Sequence, residues 1–344
     1  MYEEIERLTY ALCAAHGTPG DELEAMEAAK EALSFCDEVI LHPLGGVTGI
    51  LGDKNAKRRL LFDAHVDQIG LAVTQIDEKG FLHVTSVGGV DSRTMPGSPV
   101  TVYGNEILQG IVAMLPAHAN EKSDKVKPVQ EQIIDLGLEK EEVEKLVSVG
   151  DRAALTRNVK KLLGNRVSGT ALDDRAGCAC IIRAAQLIHE HAEKLDCCVM
   201  VLCSTREEVG GQGAQIRTYS LEPTEVVAVD VSFAKQPGAD QLTAELGAGP
   251  MIGYSAALDR KISKKLIALA EKHKIPYQTE VMGGSTGTNC DEISISRGGV
   301  RTGLISVPQR NMHTPAEICD LEDMENIAKL LAAYAFEGEE ANHE

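Results

Sequence analysis

The sequence predicts an α/β fold, a mainly parallel sheet with helices on both faces, into which a small β-rich domain is inserted. Three observations support this prediction. Apolar strands alternate with amphipathic helices from Ala171 onward, as in βαβ units. Two helices and three apolar strands precede Gly70. Between these parts the chain changes to short alternating strands that break at Gly, Pro or Asp.

The N-terminal half is predicted to contain both the first strands of the sheet and the inserted domain. The acidic opening segment and residues 21–36 are amphipathic and predict two helices, and the strands EVILHP, VTGILG and RRLLFDAHV follow. From Gly70 to about Arg166 we expect a small barrel or sandwich built from LAVTQI, FLHVTSVGG, SPVTVYG and ILQGIVAML. The charged residues 121–151 interrupt this pattern and are predicted to form a surface helix.

The C-terminal half is predicted to complete the sheet. A helix is expected over about 174–192, followed by the strands CCVMVLCST and VVAVDVS, the helix KISKKLIALAEKHK, the strand VRTGLISVP and the closing helix DLEDMENIAKLLAAYAF. This alternation favours parallel pairing with helices on both faces. We therefore expect one discontinuous domain of residues 1–69 and 166–344, and an inserted domain of residues 70–165.

Composition excludes several classes of partner. The chain has 34 Lys+Arg against 52 Asp+Glu, a net charge of −18, so nucleic acid and anionic membranes are poor partners. No segment approaches the ~20 apolar residues that cross a bilayer, and the N-terminus lacks the basic start of a secretory signal. The nine cysteines lie largely in apolar runs without a CxxC pair, and CAC at 178–180 is typical of a helix core. We expect reduced thiols and a cytoplasmic protein.

Acidic and histidine side chains recur at the ends of the predicted strands, where open α/β sheets form their ligand sites. In LLFDAHVDQIG, His65 and Asp67 are two residues apart, so on a strand both side chains point to the same face. One can bind a metal while the other orients the imidazole through its second nitrogen. A half-exposed strand with an unrelated histidine has the same pattern.

Three further segments add carboxylates. Asp173 and Asp174 precede a predicted helix, which alone is equally typical of an N-cap. Glu207 and Glu208 directly follow a very apolar strand, and two adjacent buried carboxylates are costly unless positive charge compensates them. Asp230 interrupts the β-branched run VVAVDVS and also needs a partner, for which a cation is sufficient.

The last segment, LISVPQRNMHTPAE, places a histidine in a loop after the last strand, where a lone histidine is usually inert. Considered jointly, two histidines and three carboxylates are the ligands of a two-metal hydrolase. Two divalent cations bring four positive charges against three carboxylates, so the site is electrically reasonable only with both ions bound. Glu207 stays free to act as a base. The predicted metal ligands are His65, Asp173, Glu208, Asp230 and His313.

These segments, in order and spacing, resemble the glutamyl aminopeptidase and TET aminopeptidase family, whose members are also labelled cellulase M or endoglucanase. The resemblance runs nearly end to end and rests on HPLGGV, AHVDQIG, VGGVDSRTMPGSPVTV, ALDDRAGC, EEVGGQGA, VDV and VPQRNMHTPAE. It implies a two-metal exopeptidase-like α/β domain interrupted by a β-rich domain. The inserted domain has no expected catalytic residue. In the family this domain makes subunit contacts, and some members assemble into hollow dodecamers.

The resemblance also implies a role for each site residue. His65 and Asp230 would be terminal ligands of one metal, zinc or cobalt, and Glu208 and His313 those of the other. Asp173 would bridge the two ions. The resemblance further implies that Glu207 is the general base and that Asp67 orients His65.

Two positions depart from the family pattern, and both replace an acid by an amide. Gln68 stands where AHxDE has glutamate, and Asn289 where GTDA has aspartate. If both line the site, the pocket is up to two negative charges poorer, and basic N-terminal residues should be handled less well. The alternative is that both amides only hydrogen-bond the backbone.

The sequence therefore predicts a metal-dependent aminopeptidase that acts on peptides, with three alternatives. A metal-dependent deacylase of small amides could use the same ligands. An endoglucanase needs two carboxylates and no metal, and its chemistry does not use the strand-end histidines. A non-catalytic assembly protein would be favoured by the loss of Glu207 or of a ligand, and none is lost.

Overall fold

The computed structural model describes residues 2–116, 126–156 and 158–337, which form a large sheet covered by helices and a separate barrel. The first part of the chain contains α1 (Glu3–Ala14), α2 (Leu23–Ala32), β1 (Glu38–His42), β2 (Gly46–Leu51) and β3 (Arg59–His65). The middle part contains β4 (Gly70–Ile76), β5 (Leu82–Val87), β6 (Pro99–Tyr103), β7 (Ile107–Val112), β8 (Ile133–Asp135), α3 (Lys140–Leu146) and β9 (Arg152–Leu155).

The last part of the chain supplies most of the sheet and its helices. It contains β10 (Lys160–Lys161), β11 (Arg166–Gly169), α4 (Leu172–His189), β12 (Cys198–Ser204), α5 (Gln212–Leu221), β13 (Glu225–Phe233), β14 (Met251–Tyr254), α6 (Arg260–His273), β15 (Gln278–Val281), α7 (Asn289–Ser294), β16 (Arg301–Gln309), β17 (Glu317–Asp320) and α8 (Leu321–Phe336). No helix in the described ranges is long and apolar enough to span a bilayer.

The large sheet is mixed and contains both parallel and antiparallel pairs. Its strand order is β1-β2-β12-β3-β13-β16-β14-β15. The central strands β12, β3, β13 and β16 are parallel, as is the pair β14–β15 at one edge. The pairs β1–β2, β2–β12 and β14–β16 are antiparallel. Four of the seven pairs are therefore parallel, including all three pairs of the central strands, and the three antiparallel pairs were not predicted.

Both faces of this sheet are buried, as the alternating directions of the side chains along β3 show. Leu60 and Phe62 point into a core formed with α1, α4, α6 and α8, whereas Leu61 points into a second core with α5 and α7. Leu61 and Phe62 are fully buried. Burial on two faces explains why these strands read as continuous apolar runs in the sequence.

The short strands between Gly70 and Leu155 close into a barrel in the order β4-β5-β8-β7-β6-β9. The prediction of a surface helix over residues 121–151 is wrong for most of that stretch. Residues 121–125 lie outside the described residues, β8 completes the barrel, and only Lys140–Leu146 are α-helical. Ile134 in β8 is fully buried in the barrel core, which favours strand pairing over a solvated helix.

The four central strands run in the same direction, so their carboxyl ends meet at one edge of the sheet. In the register of β12 against β3, Ser204 lies opposite His65, and in that of β13 against β16, Asp230 lies opposite Ser306. The segments that follow these strands therefore leave the sheet side by side. This edge is where the predicted site residues lie.

Candidate metal centre

The structure brings all the predicted ligands together at this edge. His65 is the last residue of β3, and Asp230 lies in the C-terminal half of β13. Glu208 follows β12, His313 follows β16, and Asp173 lies at the start of α4. Four of the five are almost completely buried, whereas the side chain of His313 is 33% exposed. Because each side chain comes from a different element, the site forms only when the whole sheet is assembled.

Asp173 lies between the two histidines. Its Oδ1 is 3.1 Å from Nε2 of His65, and its Oδ2 is 3.2 Å from Nε2 of His313. Each carboxylate oxygen therefore faces a different imidazole. This is the arrangement that a carboxylate needs to bind two cations at once, one through each oxygen.

The remaining carboxylates divide between the two histidines. Oδ1 of Asp230 lies 3.8 Å from Nε2 of His65, and Oε1 of Glu208 lies 3.7 Å from Nε2 of His313. Oε2 of Glu207 lies at nearly the same distance, 3.9 Å, from Nε2 of His65. The His65 side of Asp173 thus has two further carboxylates, and the His313 side has one.

The chemistry of these donors fits divalent cations. Ligand atoms of His65, Asp173 and Glu208 lie within 4.8 Å of one another, close enough to contact one ion, so Glu208 lies near His65 as well as near His313. Oε1 of Glu208 is buried and has no hydrogen-bond partner, which is costly for a carboxylate oxygen unless a cation satisfies it. Imidazole and carboxylate together are ligands typical of zinc and related ions.

Asp174, which was not predicted as a ligand, also lies beside the ligands. Its ligand atoms also lie within 4.8 Å of those of His65 and Asp230. Both of its oxygens accept backbone hydrogen bonds, Oδ2 from the amide of His65 at 3.3 Å and Oδ1 from that of Gly177 at 3.0 Å. The peptide bond that joins it to Asp173 is cis. Asp174 therefore ties the end of β3 to α4.

The protein alone does not balance the charges of this site. Burial raises the pKa of Asp230 and Glu208 well above their ordinary values. Burial alone would lower the pKa of His65, but hydrogen bonds to Asp173 and Asp67 raise it well above its ordinary value. Burial opposes ionisation of Asp173, but hydrogen bonds from both histidines lower its pKa. Burial and the crowding of acids thus favour added positive charge at this site, which divalent cations would supply.

Asp67 is fully buried and holds the segment that carries the two glutamates. Its Oδ1 accepts the backbone amide of Glu207 at 3.1 Å, and its Oδ2 accepts that of Glu208 at 3.2 Å. Nδ1 of His65 lies 3.1 Å from the backbone carbonyl of Asp67 but 3.6 Å from its carboxylate. The carboxylate therefore positions the glutamate pair, and the carbonyl makes the shorter contact with the imidazole.

Glu317 is a positioning residue that the sequence analysis did not identify. Its Oε2 accepts the backbone amides of Leu172 at 2.8 Å and Asp173 at 3.3 Å, and its Oε1 accepts that of His313 at 3.1 Å. One buried carboxylate thus fixes both the central ligand and the second histidine. The only signal in the sequence is its place in HTPAE, four residues after His313.

The barrel also contributes to the site, through two glycines after β5. The carbonyl of Gly89 lies 3.0 Å from Nδ1 of His313. A methyl group at Gly89 would lie 2.7 Å from that nitrogen, and one at Gly88, whose φ is +77°, would lie 3.2 Å from Glu208. Both positions therefore require glycine. The GG pair of VGGVDS was the available sequence signal.

The two positions that depart from the family pattern hydrogen-bond buried charged side chains, not only backbone groups. Nη2 of Arg175 donates to Oε1 of Gln68 at 3.3 Å, and Nδ2 of Asn289 donates to Oδ2 of Asp63 at 2.8 Å. Gln68 lines a narrow cavity on the barrel side of the ligands. Asn289 lies behind the ligand strand and lines neither cavity beside the ligands, so the expectation that it makes the pocket less acidic is wrong.

A larger cavity of about 240 Å³ opens on the other side of the ligands. Glu207, all five predicted ligands, Ser232, Phe233, Met282 and Leu304 line it. The ligands therefore form one end of a space that can hold a side chain of a small substrate.

Comparison with known proteins identifies the family. The sequence profile of the M42 glutamyl aminopeptidase family matches residues 45–330. The chain belongs to this family. It is 32% identical over 305 residues to a lysyl aminopeptidase of Pyrococcus furiosus, an alignment that covers 86% of each chain. The fold also matches an aminopeptidase of the archaeon Desulfurococcus kamchatkensis, with a TM-score of 0.90 and 33% identity over 98% of this chain and 96% of that one.

A third relative is the TET1 peptidase of Pyrococcus horikoshii, which can assemble into a tetrahedron or a large octahedral shell. Its TM-score is 0.86 at 31% identity, over 97% of this chain and all of that one. Membership of the M42 family makes this chain a peptidase and a metal-dependent aminopeptidase. The predicted aminopeptidase activity is thereby confirmed.

Proposed function

We propose that this M42 peptidase removes N-terminal residues from peptides with two divalent ions, zinc or cobalt, and with Glu207 as general base. His65 and Asp230 would hold one ion, Glu208 and His313 the other, and Asp173 both. The observation that carries the proposal is the position of Asp173, whose two oxygens face the two imidazoles at 3.1 and 3.2 Å. When bound, such ions supply Lewis-acid chemistry, because they lower the pKa of water and polarise a carbonyl.

Glu207 is suited to proton transfer because it stands beside the ligands without belonging to them. Its side chain is 18% exposed and lines the larger cavity, whereas the side chain of Glu208 is 5% exposed. Oε2 of Glu207 would accept a proton from the attacking water and then donate it to the leaving amine. Asp67 holds the backbone of Glu207 and so fixes where that oxygen points.

Domain roles and assembly belong to the same proposal. Residues 1–69 and 166–344 would form the catalytic domain, and residues 70–165 the domain through which copies associate, from dimers to dodecamers. Apolar side chains exposed along and after β7 support this: Ile107, Ile111, Met114 and Leu115. The nine cysteines are unpaired thiols, which supports a cytoplasmic location.

The test combines metal analysis with substrates that carry or lack a free α-amine. Dialysis against a chelator should abolish hydrolysis of Leu-arylamide, and zinc or cobalt should restore it at two ions per chain. Full activity of a protein shown to be metal-free would overturn the proposal. The deacylase alternative predicts the opposite substrate preference, that N-acetyl amino acids are cleaved faster than aminoacyl-arylamides with the same side chain.

A further inference from the structure

A carboxylate outside the ligand set lines the larger cavity. Glu280, in the edge strand β15, shares this cavity with Glu207 and Asp230. Among the described residues that line the cavity there is no lysine or arginine. An acid at this position is therefore not neutralised by a neighbouring cationic side chain of the cavity wall.

Two serine hydroxyls hold the carboxylate in place. Oγ of Ser306 donates to Oε2 of Glu280 at 2.9 Å, and Oγ of Ser232 donates to Oε1. A carboxylate has about four acceptor positions, so two hydroxyl donors leave it able to accept further hydrogen bonds. The fixed orientation lowers the entropic cost of binding a cationic group there.

The same serines set the distance between this carboxylate and the metal centre. Ser232 follows Asp230 by two residues on β13, and Ser306 is the register partner of Asp230 on β16. Neighbouring strands lie about 4.8 Å apart, which places the Glu280 carboxylate roughly 8 Å from that of Asp230. A four-carbon side chain that begins beside the metal centre spans such a distance.

Apolar side chains also line this cavity. Met282 and Leu304 belong to the lining, and Phe233, which lines it too, is 54% exposed. A lysine or arginine side chain fits a cavity with both kinds of lining, because its methylene stem contacts apolar groups while its charged end reaches an acid. Two divalent ions would bring four positive charges against the five carboxylates of the cavity, which are the three ligands, Glu207 and Glu280, so one negative charge remains for a cationic side chain.

We propose that this cavity receives the side chain of the substrate's N-terminal residue, and that Glu280 makes the enzyme prefer lysine or arginine there. The inference rests on the proposed aminopeptidase function and names its substrate class. It reverses the expectation drawn from Gln68 and Asn289, since neither amide removes a charge from the larger cavity, whereas Glu280 supplies one. Acidic N-terminal residues are repelled by Glu280, and leucine gains only apolar contact.

The first test measures kcat/KM of the metal-loaded enzyme on Lys-, Leu- and Glu-arylamides. Glu280→Gln keeps the shape of the side chain and removes its charge, so the Lys-to-Leu ratio should fall about 30-fold, or about 2 kcal/mol at 1.4 kcal/mol per tenfold change. This size lies between that of an exposed ion pair and that of a fully buried one. Glu280→Lys should invert the preference toward Glu-arylamide.

A matched control removes an acid of the same kind beside the same strand. Glu245 is exposed, contacts Gln278 of β15 through its backbone amide, and does not line the cavity. Glu245→Gln should leave the Lys-to-Leu ratio unchanged. An equal drop in both variants would mean that net charge, not the cavity, sets the preference, and would overturn the inference.

A second measurement uses binding rather than turnover. Calorimetry should show that L-lysine binds the metal-loaded protein more tightly than its apolar analogue L-norleucine, and that Glu280→Gln removes this difference. Peptides with lysine at the second position instead of the first separate the two sides of the scissile bond. If Glu280→Gln impairs only cleavage of Leu-Lys peptides, the cavity binds the second residue and the inference is wrong.

The failure of this inference differs from the failure of the proposed function. A metal-loaded protein without activity on any arylamide or peptide would contradict the aminopeptidase function itself. An active enzyme whose Lys-to-Leu ratio is unaffected by Glu280→Gln would overturn only the role of Glu280.

Discussion

Replacement of Asp67 by asparagine tests how the site balances hydrogen bonds against charge. The carboxylate accepts two buried backbone amides at 3.1 and 3.2 Å. In Asp67→Asn the carboxamide oxygen can accept one of them, but its NH₂ group faces the other, so one buried donor is left unpaired. Loss of such a charge-assisted bond, with an unpaired donor left behind, costs about 2–4 kcal/mol.

A second effect opposes this loss when the metal is absent. The charge of Asp67 adds to burial in raising the pKa of Glu207 and Glu208. Two carboxylates about 5 Å apart repel by roughly 3 kcal/mol at an effective dielectric near 20, so removal of one charge offsets most of the lost hydrogen bond. Bound cations cancel this repulsion. We therefore expect a small effect of Asp67→Asn in the metal-free protein and the full loss in the metal-loaded one.

Scanning calorimetry with a chelator and with saturating zinc measures both states. Since 1 kcal/mol shifts Tm by about 2–4 °C in domains of 150–250 residues, the metal-loaded Tm should fall by about 5–10 °C. Asp77→Asn is a control, because Asp77 also accepts two backbone amides, those of Lys79 and Phe81, but both on Oδ1 and in a turn, so a carboxamide oxygen can keep both. It should change Tm less, and equally in both states. An equal drop for Asp67→Asn with and without metal would refute the charge argument.

Three further predictions follow from the same geometry. Glu207→Gln should lower kcat about 10³-fold and keep two ions per chain by elemental analysis, whereas Glu208→Gln should lose metal; the reverse pattern would exchange their roles. A histidine must lose its proton to bind metal, and the pKa of His65 is raised, so zinc affinity should rise with pH through and beyond about 6.5. A zinc affinity that stays constant from pH 5 to 8 would contradict histidine ligation. Asn289→Asp places a second acid beside Asp63, whose pKa burial raises to about 7. An acid with a raised pKa destabilises the fold as pH rises through that pKa, so the Tm of the variant should fall more at pH 8.5 than at pH 6. Its Lys-to-Leu ratio should not change.

The sequence predicted the elements whose pattern is local. Buried central strands such as β12 are continuous apolar runs, and α6 shows a clear amphipathic period, so both were located within a few residues. The short strands β14 and β15 were missed because four residues carry little periodic signal. Glu280 was missed for the same reason, since an acid in an unrecognised strand looks like a surface residue.

The contacts by which Asp67 and Glu317 position the site could not be predicted, because they are made to the backbone. Both carboxylates accept amides of segments distant in sequence, and no residue type marks an amide that needs an acceptor. Backbone conformation is also hidden. Arg206 and His313 adopt left-handed φ angles of 64° and 60°, which the surrounding contacts impose at a cost of about 1–3 kcal/mol each.

The barrel illustrates how far this coupling extends. Its retention seemed to need subunit contacts, since it carries no ligand of its own. Yet the carbonyl of Gly89 contacts Nδ1 of His313, and the backbone of Gly88 packs against Glu208. An acceptor at Nδ1 keeps the proton on that nitrogen and leaves Nε2, which faces Asp173, free to bind a cation. Two glycines of the barrel therefore contact the candidate metal centre, and these contacts are a reason to keep the barrel that does not depend on contacts between copies.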